Sequence, residues 1–97
     1  LFSIFAKIHA VTDLRFPLYR ALANRKSFYC ISAPDEMTEY QQIGSKYVVH
    51  SLKARILPEH NLLRDLISND NGHWHEVTAE EFDAFVTECE RDRERLH

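Results

Sequence analysis

The sequence predicts an α+β fold, a single small sheet of three or four strands with three or four helices packed on it. The approximate order is β-α-β-α-β-α-β-α. Three observations carry this expectation. Apolar residues alternate with period two in some segments and follow helical spacing in others. Only two glycines and three prolines occur in 97 residues, so each is read as punctuation between elements. Thr78 and Glu81 are spaced as a capping box, ahead of the clearest amphipathic stripe in the chain. The length suits one small globular domain over residues 1–97, with 90–97 a charged helix end that protrudes from it.

Residues 2–10 alternate, with Phe2, Ile4, Ala6 and Ile8 on one face, which predicts a half-buried strand. Thr12 and Asp13 then offer an N-cap. Leu14, Leu18, Ala21 and Leu22 follow helical spacing towards Asn24, with Pro17 tolerated only in the first turn. Ser27–Ser32 is apolar on both faces, as a central strand should be. Residues 33–44 predict a second helix, with Pro34 at its first position, Met37, Tyr40 and Ile43 as its stripe and Gly44 as its terminator. Residues 46–56 favour a strand, through the β-branched pair Val48-Val49 and Tyr47, over the helix that the spacing of Val48, Leu52 and Ile56 also suits. A strand there places Tyr47, Val49, Ser51, Lys53 and Arg55 on one face, and Val48, His50, Leu52, Ala54 and Ile56 on the other.

After the break at Pro58, residues 59–68 predict a short helix burying Leu62, Leu63, Leu66 and Ile67, closed by the turn at residues 69–72. His73–Val77 follows as a short strand with Trp74 directed away from His73 and His75. Phe82, Phe85, Val86 and Cys89 form the i, i+3, i+4, i+7 stripe of the last helix. Its end, "ERDRERLH", carries Leu96 as its one apolar side chain and closely spaced opposite charges. Each such pair contributes only a few tenths of a kcal/mol. A tail of this kind reads first as a solvated helix end, and alternatively as a surface that packs on a partner or on a second copy.

Composition narrows the function. A hydrophobic content of 44%, with six Phe, four Tyr and one Trp, supports a real core, and the net charge of −3 is too small for a disordered chain. The longest apolar run, Phe28–Ile31, is far short of the roughly 20 residues a membrane helix requires. The opening "LFSIFAKIHAV" carries Lys7 and His9 and makes a poor signal peptide. Cys30 and Cys89 both lie in apolar patterns, which suits buried thiols and a cytoplasmic location. Charge is uneven: residues 1–55 hold eight Lys/Arg against four Asp/Glu, and residues 56–97 hold four against eleven. Such asymmetry marks a binding face or two halves that attract each other.

Few residues carry a chemical signature. His73 and His75 form a His-x-His pair that, joined by His50 from another strand, gives a weak metal-binding candidate. The scaffold offers no evident fourth ligand, so the expectation is no metal site, no cofactor and no catalytic residue. No glycine-rich phosphate loop or nucleophile elbow occurs, and apolar neighbours should raise the Cys30 pKa rather than lower it. The leading expectation is a small non-catalytic accessory or regulatory protein acting through macromolecular contact, chiefly with a protein or with its own second copy. Its interaction candidates are Tyr47, Lys53, Arg55, Arg91, Arg95 and Leu96. The alternative is a nucleic-acid-binding module using the basic strand face of Tyr47, Lys53 and Arg55, with Arg15, Arg20, Arg25 and Lys26 adding charge. A small metal-dependent enzyme using the His-x-His pair ranks third.

Overall fold

The computed structural model describes residues 15–69 and 72–95, with side chains through Arg91. Its strands are β1 (Leu18–Leu22), β2 (Ser27–Ala33), β3 (Glu36–Ile43), β4 (Lys46–Lys53) and β5 (Trp74–Glu76). Its helices are α1 (Leu57–Ser68), which precedes β5, and α2 (Ala79–Arg95), which follows it. The five strands form one antiparallel sheet in the order β4-β3-β2-β1-β5. The predicted strand at 2–10, the cap at Thr12-Asp13, and Leu96 lie outside the described residues.

This arrangement corrects the predicted order and helix count. A strand-rich meander, β1 to β4, replaces the expected alternation, and two helices stand among the described residues. The segments expected as helices at 12–24 and 33–44 supply β1 and β3 instead. The physical reason is that helices cover both faces of the sheet. On β1, Leu18 and Leu22 pack towards α1, while Tyr19 and Ala21 pack towards α2. On β3, Met37 faces α1 and Tyr40 faces α2. A strand buried on both sides loses its period-two signature, and spacings of three and four then imitate a helix. Pro34 and Asp35 form the turn between β2 and β3 rather than a helix start. Gly44, at φ +62°, occupies the β3–β4 hairpin turn rather than a helix end, a conformation that suits glycine.

The remaining elements match their sequence signals. On one face Tyr29, Ile31, Met37 and Ala54 enclose Leu63 and Leu66 of α1, with Leu18, Leu22, Leu52 and Trp74 packed around them. On the other face Ala21 and Phe28 enclose Phe82 of α2, flanked by Tyr19, Cys30, Tyr40, Phe85 and Val86. Leu62, expected in the core, is 38% exposed. Glu59 starts α1 by accepting hydrogen bonds from the backbone N–H groups of Arg55 (2.9 Å) and Ile56 (3.2 Å). Asn69 ends α1 in the left-handed conformation, and its Oδ1 accepts from the Trp74 N–H at 3.2 Å, which helps seat β5.

Arg20 completes the tie between α1 and the sheet. It is buried at 5% exposure. Its Nε donates to the Leu66 carbonyl at 3.0 Å and its Nη2 to the Ile67 carbonyl at 3.1 Å, while Nη1 donates to the Tyr19 carbonyl at 2.9 Å. The last carbonyls of a helix lack partners within the helix, and one guanidinium answers two of them here.

At the start of α2, the Glu81 N–H donates to Thr78 Oγ1 at 3.1 Å, as the capping pattern anticipates. The Glu81 carboxylate also takes Arg25 Nη2 at 2.9 Å. That hydrogen bond is the main reason its pKa falls below the ordinary carboxylate value. Arg25 in turn lies 5.3 Å over the Phe28 ring, so the β1–β2 turn is linked to the helix start. Thr78→Ala should destabilise the fold by about 1 kcal/mol, the usual cost of losing a side-chain N-cap. Urea unfolding followed by circular dichroism checks this, with Thr78→Ser expected to retain most of the stability.

Candidate interaction surface

The surface with the clearest capacity to act is the outer edge of β4. Ala54 N–H donates to the Asp35 carbonyl at 2.7 Å, and the β3–β4 register pairs Glu36 with Lys53 through to Ile43 with Lys46. In an antiparallel ladder, backbone groups point alternately to the two sides. Even-numbered residues of β4 therefore bond to β3. The odd-numbered Tyr47, Val49, Ser51 and Lys53 aim their N–H and C=O groups away from it. No strand among the described residues pairs with that side. At the opposite edge β5 has only three residues, too short to present a comparable ladder.

Apolar side chains flank this edge. Val49 is 38% exposed and Ile43 54% exposed. Beyond β4, Ile56 and Leu57 are 57% and 68% exposed at the entry to α1. Lys46 and Lys53 stand at the two ends of the strand, a common device for limiting indiscriminate pairing.

A polar row leads across the sheet to the same edge. The registers align Glu76 with Arg20, Arg20 with Tyr29, Tyr29 with Glu39, and Glu39 with His50. All five lie on the face that α1 packs against. Burial, followed by the Glu39 charge, pushes the Tyr29 phenol up to about 12. Burial also lowers the Arg20 pKa, with Glu76 opposing the change. The row thus runs from a buried cation and a buried phenol to a half-buried carboxylate and ends on an exposed imidazole.

Shallow hollows occur among the described residues. One of about 240 Å³, lined by Pro34, His60, Arg64, Ile67 and Ser68, lies between the β2–β3 turn and α1 and includes no β4 residue. Another of about 420 Å³ is lined by Ser32, Glu36, Thr38, Ser51 and Lys53, with Met37 and Leu52 below. In the latter, Thr38 Oγ1 and Ser51 Oγ are 3.3 Å apart and Ser32 Oγ donates to Glu36 at 3.2 Å, so the polar groups satisfy one another.

The residues singled out from sequence do not all converge. His50 lies on β4 and His75 on β5, at opposite edges of the sheet and on opposite faces. Four inter-strand spacings separate them, about 19 Å. The topology that the sequence left open therefore keeps His50 away from the His-x-His pair. His73 precedes β5, with its ring edge-on to Trp74 at 5.9 Å. Among the described residues no three His, Cys, Asp or Glu side chains form a metal-binding group.

Tyr47, Val49, Ser51 and Lys53 do share a face, as expected, but it is the face that α2 partly covers. The Tyr47 ring packs edge-on to Phe85 at 5.8 Å, so it is a support for the helix rather than an open stacking platform. Lys53 is the cross-strand neighbour of Glu36. Arg55 is exposed just beyond the strand. Arg20 and Arg25, counted as candidate basic surface, are committed to α1 and to Glu81 respectively. Arg91 pairs with Glu88 at 3.1 Å on α2. The Arg95 side chain and Leu96 lie outside the described positions. Cys30 and Cys89 are both thiols. Burial first and Asp83 second raise the Cys30 pKa, in keeping with its apolar setting.

No family model, curated protein or solved structure matches this chain. The β4 edge is missing from the sequence candidates as a unit, because strand order and edge position depend on contacts far apart in the chain. Only the alternation across Tyr47–Lys53 signalled it.

Proposed function

We propose that the chain is a small non-catalytic accessory module that binds another polypeptide along the outer edge of β4. The observation that supports this most is the eight-residue strand whose odd-numbered backbone groups face outward, beside the exposed Val49 and Ile43. Addition of an extended segment to a sheet edge draws its affinity from main-chain hydrogen bonds and its selectivity from alternate side chains. The uneven charge needs no nucleic acid to account for it. Acidic α2 lies on the sheet that carries much of the basic half, and Arg25–Glu81 joins the two.

A photo-reactive benzophenone side chain at position 49 tests the reading in cells that make the protein. Adducts with a polypeptide are expected at position 49 and not at the control position Asn61, which is exposed on α1. Equal labelling at both positions, or no polypeptide adduct at position 49, would overturn it.

A further inference from the structure

We infer that the polypeptide added to β4 is an acidic extended segment, paired antiparallel with Val49–Lys53, with a carboxylate opposite Lys53 and an apolar residue opposite Val49. This rests on the edge reading above and specifies its partner. Residues 46–56 hold Lys46, Lys53 and Arg55 and no Asp or Glu, and all three cations are exposed. Carboxylates on the neighbouring elements already have donors or lie elsewhere. Glu36, the cross-strand neighbour of Lys53, accepts from Ser32 Oγ at 3.2 Å. Glu59 accepts from the backbone N–H groups of Arg55 and Ile56. Glu39 lies on the other face of the sheet from Lys53. Among the described residues neither Lys46 nor Lys53 enters an ion pair.

Opposite charges directly across a ladder attract and like charges repel. The same lysine that turns away a basic segment therefore admits an acidic one, and selectivity draws on both effects. Val49, 38% exposed, lies four residues from Lys53 on the same face, because side chains recur on one face at every second residue. The complementary segment thus carries its apolar residue four positions from its carboxylate. Val49, Ser51 and Lys53 direct their N–H and C=O groups away from β3, so three residues of an antiparallel segment meet them with matching parity. On the other face the segment passes exposed His50 and half-buried Leu52, and Leu52 favours a second apolar residue there. A nucleic acid would answer the lysines, but it has no alternating main-chain groups to match the ladder.

Titration of the intact chain into the labelled peptide Glu-Thr-Glu-Val-Thr-Thr-Val, acetylated and amidated, followed by fluorescence anisotropy, tests the inference. Antiparallel to β4, this peptide sets its second Glu against Lys53, its first Glu near Arg55 and its last Val against Val49. Exchanging both Glu for Lys should raise the dissociation constant at least about tenfold at low salt. The gap should narrow at 1 M salt, where screening acts within about 3 Å. Lys53→Glu should reverse the order of the two peptides, and Lys53→Gln should bring their affinities closer together. Circular dichroism verifies that each variant folds.

Equal affinity for the acidic and basic peptides, binding of neither, or a preference that Lys53→Glu leaves unchanged overturns the acidic-segment inference. In each case polypeptide adducts at position 49 would still support the edge reading with a partner of different chemistry. A single-stranded oligouridylate that binds more tightly than the acidic peptide, and that Lys53→Gln weakens, assigns these cations to nucleic acid and overturns the inference as well.

Discussion

Replacing Arg20 with alanine should destabilise the protein by about 3 kcal/mol, a large share of the roughly 5–15 kcal/mol that holds a small domain together. The guanidinium is buried and donates to three main-chain carbonyls, two of them at the end of α1. Hydrogen bonds from a charged donor contribute more than neutral ones, and deleting the donor strands carbonyls that water reaches poorly. The salt bridge with Glu76 contributes little to this figure. At 3.9 Å, with the Glu76 side chain 79% exposed, it is a screened contact. Arg20→Lys should recover only a minor part, because an ammonium cannot place separate donors on Leu66 and Ile67 as the planar fork does. Equilibrium urea unfolding gives the magnitude. Faster amide exchange near the end of α1, with slower change in α2, would locate the loss.

The burial of Arg20 shows where the sequence stops being informative. Its neighbours Tyr19 and Ala21 are apolar, but an arginine in a short strand looks like surface charge until α1 is placed above it. The same limit explains β1 and β3. Their apolar residues answer two different helices, and the pattern visible along the chain is the superposition of both demands. Elements with one covered face or a strong cap were legible: α1 through Leu63 and Leu66, α2 through Thr78 and Phe82, and β4 through its alternation. Trp74 was also legible, because a lone large aromatic in a short polar segment has few places to go but inward. Its partner Asn69, which joins helix end to strand start, could not be read because the bond spans a turn of unspecified shape.

The candidate site follows the same division. Which side chains share a face of β4 is a local property and was readable from alternation. That β4 lies at an edge, that His50 and His75 occupy opposite ends of the sheet, and that Tyr47 supports α2 are consequences of strand order and helix placement. The polar row from Glu76 to His50 draws one residue from each strand, so no window of sequence contains it. Its energetic logic is also nonlocal. Buried Arg20 and Tyr29 can lie side by side because the cation is held by helix carbonyls, while the phenol stays neutral with its pKa pushed up to about 12.

Phe82→Ala should have the largest effect of any single truncation on the α2 side, about 4 kcal/mol, within the range for removing a buried phenylalanine. Phe82 is 7% exposed. It lies between the Tyr19 ring at 4.9 Å and the Tyr40 ring at 5.5 Å, so the void opens between two strands and the helix at once. Phe82→Leu keeps most of the volume but loses the ring contacts, and should cost about 1–1.5 kcal/mol. Thermal and urea unfolding measure both. Combining Phe82→Ala with Thr78→Ala should fall short of the sum of the single effects, because both residues secure the same first turn and its second anchor matters less once the first is gone. The contrast with the edge is informative. Phe85 and Tyr47 connect α2 to one face of β4, whereas the backbone groups of Val49 and Ser51 point away from β3. Under conditions where Phe82→Leu remains folded, binding of a polypeptide along the β4 edge should therefore persist with little change, while Val49→Lys should weaken that binding at nearly unaltered stability. Stability and association would then separate along the two sides of one strand.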